Sequence, residues 1–189
     1  MDCPAQLRTD RLILRRWRDA DREPFAALNT DPEVMRYFPG VLDREKSDWF
    51  IDRIEAGFAE RGFGLWAVEL PGTGFVGFTG LSVPRFKAAF TPTVEIGWRF
   101  AKSAWGNGYA TEAARASLAD AFDRLGLAEV VSFTAEINRP SWAVMERLGM
   151  SHNAAEDFDN PGIAADSPLR RHVLYRISAE RWHASLAAG

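Results

Sequence analysis

Two glycines separated by one asparagine stand directly before helix-forming residues in the stretch WGNGYATEAA, residues 105–114. Glycine weakens a helix by about 1 kcal/mol relative to alanine, so two glycines at a helix start indicate a special backbone conformation or a close approach. The first N–H groups of a helix lack internal partners, and the helix dipole makes that end partly positive. Gly106, Asn107, Gly108, Tyr109 and Ala110 therefore predict a site where backbone amides bind a phosphate, and specifically a pyrophosphate.

Three other interpretations apply to the same loop. The glycines could serve only to shape a tight strand-to-helix connection. A P-loop requires lysine and then serine or threonine after the second glycine, and Tyr109 and Ala110 exclude it. A dinucleotide fingerprint requires a third glycine where Thr111 stands and an acidic residue ending the next strand, where Glu136 comes late. The loop alone leaves a structural role and a phosphate-binding role open.

The elements that position this loop follow from hydrophobic periodicity and turn residues. A strand, a crossover helix and a second strand flank the loop, an order that gives a parallel, right-handed unit. No boundary divides the chain, so we expect one domain over residues 1–189, with residues 1–7 as a flexible N-terminal segment. The predicted strands cover residues 11–17, 65–70, 75–83, 93–100, 129–135 and 172–178, and the predicted helices cover 19–29, 31–38, 43–62, 109–125 and 141–149.

Composition and charge exclude several classes of protein. The 189 residues are 47% hydrophobic and 26% charged, as in ordinary globular proteins, and the net charge of -3 provides no basic field for nucleic acid. No apolar run is long enough to cross a membrane, and no signal peptide is evident, so we expect a cytoplasmic protein. The single Cys3 is interpreted as a solvated terminal thiol, and the three histidines lack metal-ligand spacing, so no metal is expected.

The stretch WGNGYATEA resembles the acyl-coenzyme A pyrophosphate loop of the GNAT N-acetyltransferases. That loop has Arg or Gln, two residues, Gly, one residue, and then Gly or Ala. Trp105, Gly108 and Ala110 occupy the three defined positions, and Trp105 departs from the usual residue in the way that the RimJ/RimL-like branch often does. The resemblance continues through TDRLILRRW, DPEVMRYF, VEIGW, NRPSWAVMERLGM and HVLYRIS, and so covers most of residues 8–178.

This resemblance implies an α/β (α+β) fold with a mixed, mostly antiparallel sheet, two splayed parallel central strands and flanking helices. The two strands are residues 93–100 and 129–135, and the pantetheine arm of acetyl-CoA enters the gap between them. Unpaired N–H and C=O groups at a strand edge need such a partner. The implied cofactor-binding residues are Trp98, Arg99, Phe100, Trp105, Gly106, Asn107, Gly108, Tyr109, Ala110, Thr111, Asn138 and Ser141.

The resemblance also implies acetyl transfer from acetyl-CoA by direct attack of an amine in a ternary complex. Glu95 occupies a strand position where family members use a carboxylate to remove the proton of the amine, although it could equally be a structural carboxylate. The tyrosine that usually protonates the departing thiolate is replaced by Met145, seven residues after Asn138. Ser141 matches a serine near the thioester in RimL-like enzymes, and could instead cap the following helix.

The implied partner is an amine substrate, either a peptide N-terminus or a small molecule, with no nucleic acid or membrane partner and with a monomer or a homodimer both open. Five aromatic residues either line the acceptor site or belong to the core. The loop of residues 157–171 is predicted to be mobile enough to gate the site, and its three aspartates either attract a cationic amine or are ordinary solvated loop charges. Because the usual tyrosine is missing, an alternative function is a non-catalytic acyl-CoA-binding sensor or regulatory module. A dinucleotide-dependent enzyme is a third candidate function. The aromatic residues are Tyr37, Phe38, Trp49, Phe78 and Phe90, and the aspartates are Asp157, Asp159 and Asp166.

Overall fold

A computed structural model describes residues 3–187 of the protein. Six α-helices and nine strands form within that range. The helices are α1 (Arg22–Thr30), α2 (Pro32–Met35), α3 (Arg44–Arg61), α4 (Tyr109–Ala119), α5 (Arg139–Arg147) and α6 (Ala179–Ala187). The strands are β1 (Gln6–Arg8), β2 (Ile13–Arg15), β3 (Leu65–Leu70), β4 (Gly74–Ser82), β5 (Glu95–Phe100), β6 (Glu129–Ala135), β7 (Ser151–His152), β8 (Phe158–Asp159) and β9 (Arg171–Ser178). No helix of residues 3–187 has the length and apolarity needed to cross a membrane.

The strands form one mixed sheet in the order β1-β2-β3-β4-β5-β6-β9-β7, with β8 also paired to β9. Every pairing is antiparallel except that of β5 with β6. The parallel pair is connected through α4, as the strand, crossover helix and strand order predicts. The predicted α/β (α+β) fold, with a mostly antiparallel sheet, one parallel central pair and flanking helices, is confirmed.

The parallel strands touch at one end and separate at the other. Their registered pairing within residues 3–187 is a single position, Glu95 opposite Val131, next to a hydrogen bond from the Val131 N–H to the Val94 carbonyl. By contrast, β5 pairs with β4 along its whole length, and β6 pairs with β9 along its whole length. Each parallel strand is therefore held by its outer neighbour, and the gap between the two opens toward Phe100 and Ala135.

Two apolar clusters pack on this sheet, and α4 joins them. Ala113 belongs to the cluster built around β2, β3, β4 and α3, whereas Ala114 and Leu118 belong to the cluster formed with β6, β9, α5 and α6. Leu118 is fully buried. The helix then continues as a π-turn over Asp120–Arg124, where the guanidinium of Arg124 pairs with the Asp120 carboxylate at 2.6 Å. The core thus fixes α4, and with it the glycine loop at its N-terminus.

Several predicted boundaries differ from the structure because long-range pairing decides them. Strand β1 begins at Gln6, inside the segment predicted to be flexible, because its residues pair with β2; Met1 and Asp2 lie outside the described residues. Cys3 was predicted to be solvated, but it is half-buried against the first apolar cluster. Helix α5 begins at Arg139, two residues earlier than predicted, and α6 was not predicted.

Replacing Leu118 with alanine tests whether α4 depends on this packing. The side chain is 0% exposed, so we expect Leu118→Ala to lower the free energy of unfolding by about 2–5 kcal/mol. The matched control is Leu186→Ala, which removes the same atoms from a side chain that is 51% exposed and should cost less than about 0.5 kcal/mol. Urea denaturation of both variants measures the difference, and equal losses would show that α4 is not anchored through Leu118.

Candidate functional site

A groove of about 1230 Å³ runs from the N-terminus of α4 along the open end of β5 to α2 and the turn that follows it. Residues from α4, α5 and α6 form its other wall. Ten of the twelve residues that the sequence predicts for cofactor binding lie between positions 98 and 111, and the groove brings them together with the more distant Asn138 and Ser141. The twelve residues are Trp98, Arg99, Phe100, Trp105, Gly106, Asn107, Gly108, Tyr109, Ala110, Thr111, Asn138 and Ser141.

Both glycines of the loop adopt left-handed backbone conformations. The φ angle is 78° at Gly106 and 78° at Gly108, a region that other residues rarely occupy. A Cβ atom at Gly106 would meet no atom within 4 Å, and one at Gly108 would approach only Arg11, at 3.6 Å. The glycines therefore satisfy the loop conformation, and they also leave the space in front of the helix open.

The backbone amides of residues 106–111 line this open space. Within residues 3–187 none of these six N–H groups donates to a protein acceptor, and the first amide of α4 that does is that of Glu112, to the Gly108 carbonyl at 3.0 Å. No side chain caps α4. Unpartnered amides at a helix N-terminus favour an anion, so the loop has the properties that its sequence predicts.

Side chains of the loop itself fix its shape. The indole N–H of Trp105 donates to the Phe100 carbonyl at 2.8 Å, and the Asn107 amide donates to the Ala104 and Trp105 carbonyls at 3.3 and 3.0 Å. These bonds direct the indole N–H of Trp105 and the side-chain NH2 of Asn107 to the protein backbone. The Trp105 backbone N–H also donates within the protein, to the Lys102 carbonyl at 3.2 Å, so the free backbone amides begin after Trp105.

An ion pair that sequence reasoning missed holds the other side of the loop. Glu112, in the first turn of α4, accepts from Thr9 Oγ1 at 2.5 Å and from the Arg11 backbone N–H at 3.1 Å, and its second oxygen contacts the Arg11 guanidinium at 2.5 Å. Burial raises the pKa of Glu112, but these hydrogen bonds outweigh burial and hold the pKa below its usual value. The Arg11 guanidinium also lies over the Tyr109 ring, 4.7 Å from its centroid. The charged Glu112 carboxylate is thus paired with Arg11 and holds the loop in place. In the sequence, only its position in the first turn of a predicted helix indicated a role for this residue.

The two faces of β5 carry different side chains because strand residues alternate. Ile96 and Phe100 pack into the apolar clusters on the α4 side. Glu95 and Arg99 lie on the opposite face with Gly97 between them, where a Cβ atom would be 3.9 Å from a Glu95 carboxylate oxygen. One face of β5 therefore carries apolar side chains, and the other carries the ionisable side chains Glu95 and Arg99, of which Arg99 lines the groove.

Glu95 lies where β5 and β6 begin to separate. Loss of water around the carboxyl raises its pKa to about 8, opposed only weakly by a hydrogen bond from Ser82 Oγ to its Oε2 at 3.3 Å. Glu95 is not one of the residues that line the groove directly. At neutral pH most of the carboxyl is protonated, and a group with this pKa exchanges protons readily just above neutrality.

Asn138 and Ser141 form one hydrogen-bonded unit at the start of α5. Asn138 is the N-cap residue of the helix, and its side-chain amide donates to Thr134 Oγ1 at 2.8 Å and to Ser141 Oγ at 3.0 Å. The prediction that Ser141 could cap the helix is wrong, because Ser141 lies inside the first turn. Its hydroxyl accepts from Asn138, so its own proton stays available to the groove. Met145 is fully buried in the core.

The predicted acceptor residues separate into four groups. Tyr37 and Phe38 line the groove, Phe78 is buried beside it, and Trp49 lies on the exposed surface of α3. Phe90 packs into an aromatic cluster with Phe86, Phe133 and Phe158.

Hydrogen bonds cross the late loop, which was predicted to gate the acceptor site. Asn160 N–H donates to the Arg170 carbonyl at 2.9 Å, and Phe158 and Asp159 form β8 against β9. Asp157 contacts His152 at 2.8 Å, and Asp159 pairs with Arg170 at 3.2 Å. These two carboxylates are therefore already partnered, Asp166 lies exposed outside the groove, and a cation-attracting role for the three is not supported.

Comparisons with known proteins agree with this geometry. Residues 11–151 match the family model described as an acetyltransferase (GNAT) domain. The protein YkkB of Bacillus subtilis (strain 168) is 37% identical over 158 residues, which are 81% of this chain and 89% of YkkB. The FsC-acetyl coenzyme A-N(2)-transacetylase of Aspergillus fumigatus is 35% identical over 192 residues, 93% of this chain and 77% of that protein.

Solved structures show the same fold. The crystal structure of a GNAT-family acetyltransferase from Bacillus anthracis superposes with a TM-score of 0.76 and 27% identity, covering 93% of this chain and 99% of that one. The family model, the relatives and the fold therefore agree, and the chain belongs to the GNAT acetyltransferase family.

Proposed function

We propose that the protein is an acetyl-CoA-dependent N-acetyltransferase of the RimJ/RimL-like branch, which acetylates a primary amine of a peptide N-terminus or a small molecule. The observation that carries the proposal is the loop of residues 106–111, whose six backbone amides have no protein acceptor within residues 3–187 and open into a groove along the end of β5. Trp105 in the loop supports the branch. We further propose that residues 1–189 act as a single catalytic domain.

The residues of the groove fit acetyl-CoA. The amides at the α4 N-terminus suit a pyrophosphate, and the edge of β5 that faces β6 is free to pair with an amide-containing arm beyond Glu95. The name of the Aspergillus fumigatus relative specifies acetyl coenzyme A as the donor for that protein, which favours the same donor here. Acetyl-CoA supplies an activated acetyl group as a thioester.

The side chains of the groove favour direct transfer in a ternary complex. Transfer through a covalent enzyme intermediate would require a nucleophile, and Cys3 is not among the lining residues. Burial raises the pKa of the Cys3 thiol, which keeps it protonated and less reactive. We therefore propose that the amine attacks the thioester of the donor directly.

Glu95 is the base in this proposal. It lies on the same face of β5 as Arg99, which lines the groove, and its carboxylate would take a proton from the amine through an intervening water. The raised pKa of about 8 makes it a stronger base than an exposed glutamate. Ser141 would pass its hydroxyl proton to the departing sulfur and regain one through water from the proton that Glu95 removed from the amine, since Met145 has no proton to give.

The second candidate is an acyl-CoA-binding module that does not turn over. Buried Met145, in place of the usual tyrosine, favours it. Release of free thiol in the presence of an amine distinguishes the enzyme from the binding module.

Gly108→Asp tests the anion site. A carboxylate in front of the α4 amides would occupy the phosphate position and repel it, so we expect CoA affinity to fall at least tenfold by calorimetry. Gly72→Asp is the matched control because Gly72 is also exposed and has a φ of 82°, so both variants carry the same left-handed backbone cost of about 1–2 kcal/mol. Similar stability losses with CoA binding lost only in Gly108→Asp support the site; normal binding by folded Gly108→Asp would refute it.

Glu95→Gln tests the base. An acceptor whose amine pKa lies below about 6 is neutral at and above neutral pH. A rise of kcat/KM with pH then reflects the ionisation of a group on the enzyme and not of the amine. We expect the wild-type rate to rise with an apparent pKa near the value of about 8 of Glu95, and Glu95→Gln to lose this limb and roughly 10²- to 10⁴-fold in rate.

Ser82→Ala provides the control for this measurement. The Ser82 hydroxyl lowers the pKa of Glu95, so its removal should move the rising limb to higher pH without changing the rate reached above it. An unchanged profile in Glu95→Gln would instead make Glu95 a structural carboxylate.

Ser141→Ala tests the proton donor. Because an ordinary thiol has a pKa near 8.5, protonation of the departing sulfur gives modest help, and we expect kcat to fall by no more than about tenfold with CoA affinity unchanged. Thr134→Val is the matched control, since it removes the other acceptor of the Asn138 amide but leaves the Ser141 hydroxyl in place. Equal effects of both variants on kcat would assign the loss to the position of Asn138.

A further inference from the structure

Arg99 is half-buried, and it differs from two other arginines that are largely removed from solvent, the buried Arg15 and the half-buried Arg124. Arg15 pairs with Asp21 and with Glu69 at 2.6 Å each, and Arg124 pairs with Asp120 at the same distance. Within residues 3–187 no carboxylate lies within 4.0 Å of the Arg99 guanidinium. Arg99 is therefore a positive charge in the interior of the groove without a protein counter-charge.

Aromatic rings lie near the faces of the Arg99 guanidinium, and only one of its in-plane N–H groups has a protein acceptor within residues 3–187. The guanidinium lies 4.1 Å from the centroid of the Phe38 ring and 5.3 Å from that of Phe78. The terminal nitrogen Nη1 donates to Asn29 Oδ1, and Nε is buried without a partner within residues 3–187. An arginine has five N–H donors in one plane, so stacking leaves those donors available for an in-plane acceptor.

An arrangement of this kind costs stability unless a ligand completes it. A buried charge without a counter-charge is unfavourable, and so is a buried donor without an acceptor. Burial lowers the pKa of Arg99 to about 10, which still leaves the side chain charged at neutral pH. The planar guanidinium suits a carboxylate or another planar anion, which it binds through two parallel hydrogen bonds.

The anion in question is not the pyrophosphate of the donor. Gly106 to Thr111 lie at the N-terminus of α4, whereas Arg99 lies on the face of β5 that points away from α4. Other arginines, Arg115 and Arg147, line the groove on the α4 and α5 side. Arg99 shares its face of β5 with Glu95, four residues and about 13 Å of strand away, and only Gly97 stands between them.

We propose that Arg99 binds a carboxylate on the acceptor, so that the acceptor is an amine that also carries an anionic group. This inference rests on the proposed acetyltransferase function. The amine of such a molecule lies toward Glu95, and its carboxylate lies toward Arg99. Phe38 and Tyr37 provide an apolar wall beside the guanidinium.

Paired acceptors test the inference: a panel of amino acids, each compared with its own carboxamide, which has the same shape and lacks the charge. We expect wild-type kcat/KM to favour the acid over the amide by about ten- to a hundredfold, mainly through KM. Arg99→Gln should reduce this ratio to about one, and Arg99→Lys should retain part of it because it keeps the charge but loses the planar fork.

A matched control separates recognition from folding. Arg53 also stacks on an aromatic ring, 4.4 Å from the Trp49 centroid, but lies outside the groove. Arg53→Gln should leave the acid-to-amide ratio unchanged. The resemblance assigns the backbone of residues 98–100, and not the Arg99 side chain, to the pantetheine arm, so calorimetry with CoA and thermal unfolding should show that Arg99→Gln binds CoA normally and folds.

The outcomes distinguish this inference from the proposed function. Turnover of amines without preference for the acid, or a preference that survives in Arg99→Gln, overturns the role of Arg99 and leaves the acetyltransferase intact. Absence of thiol release with every amine refutes the acetyltransferase, and the role of Arg99 is then decided by binding of N-acetyl amino acids in the presence of CoA. Binding that Arg99→Gln abolishes supports it, and binding that is absent or unaffected refutes it.

Discussion

The single registered contact between β5 and β6, at Glu95 and Val131, is the constraint on which the site depends. If the two parallel strands paired along their whole length, their backbone N–H and C=O groups would bond to each other and no strand edge would be free for a ligand. Two separated strands would leave unpaired amides and carbonyls in the interior, at a cost that the fold must compensate. Here β4 and β9 hold the two strands from outside, so the gap is maintained by complete ladders on both flanks.

The same gap explains why groups of opposite chemical character meet around the groove. On the α4 side, apolar packing fixes the helix whose N-terminal amides face the groove. On the other side, Glu95 and Arg99 have no ion-pair partner in the described part of the chain, and loss of water raises the pKa of Glu95 and lowers that of Arg99, which favours the neutral form of each. Ionisable groups with shifted pKa values concentrate at functional sites, because burying them does not stabilise the fold.

The sequence predicted those parts of the site that local patterns specify. The glycine loop was predictable because two left-handed positions before a helix require glycine, and β6 was predicted at its observed bounds because it is rich in β-branched and aromatic residues. Arg11 and Glu112, or Arg99 and Phe38, meet through contacts between distant segments, and no local pattern identifies them. For the same reason β1 was missed: three residues with one half-buried side chain carry no periodic signal, and only pairing with β2 makes them a strand.

The bond between the Arg11 backbone and Glu112 joins residues 101 positions apart in the chain. A contact of that span closes late in folding, since the entropy of bringing distant segments together is lost before the contact forms. During synthesis the loop of residues 106–111 emerges long after β1 and β2, and it acquires its anchored geometry only when the first strands and α4 have met. A ligand held by this loop would therefore recognise the completed domain and not a partly folded chain, and it would protect the finished protein selectively against unfolding.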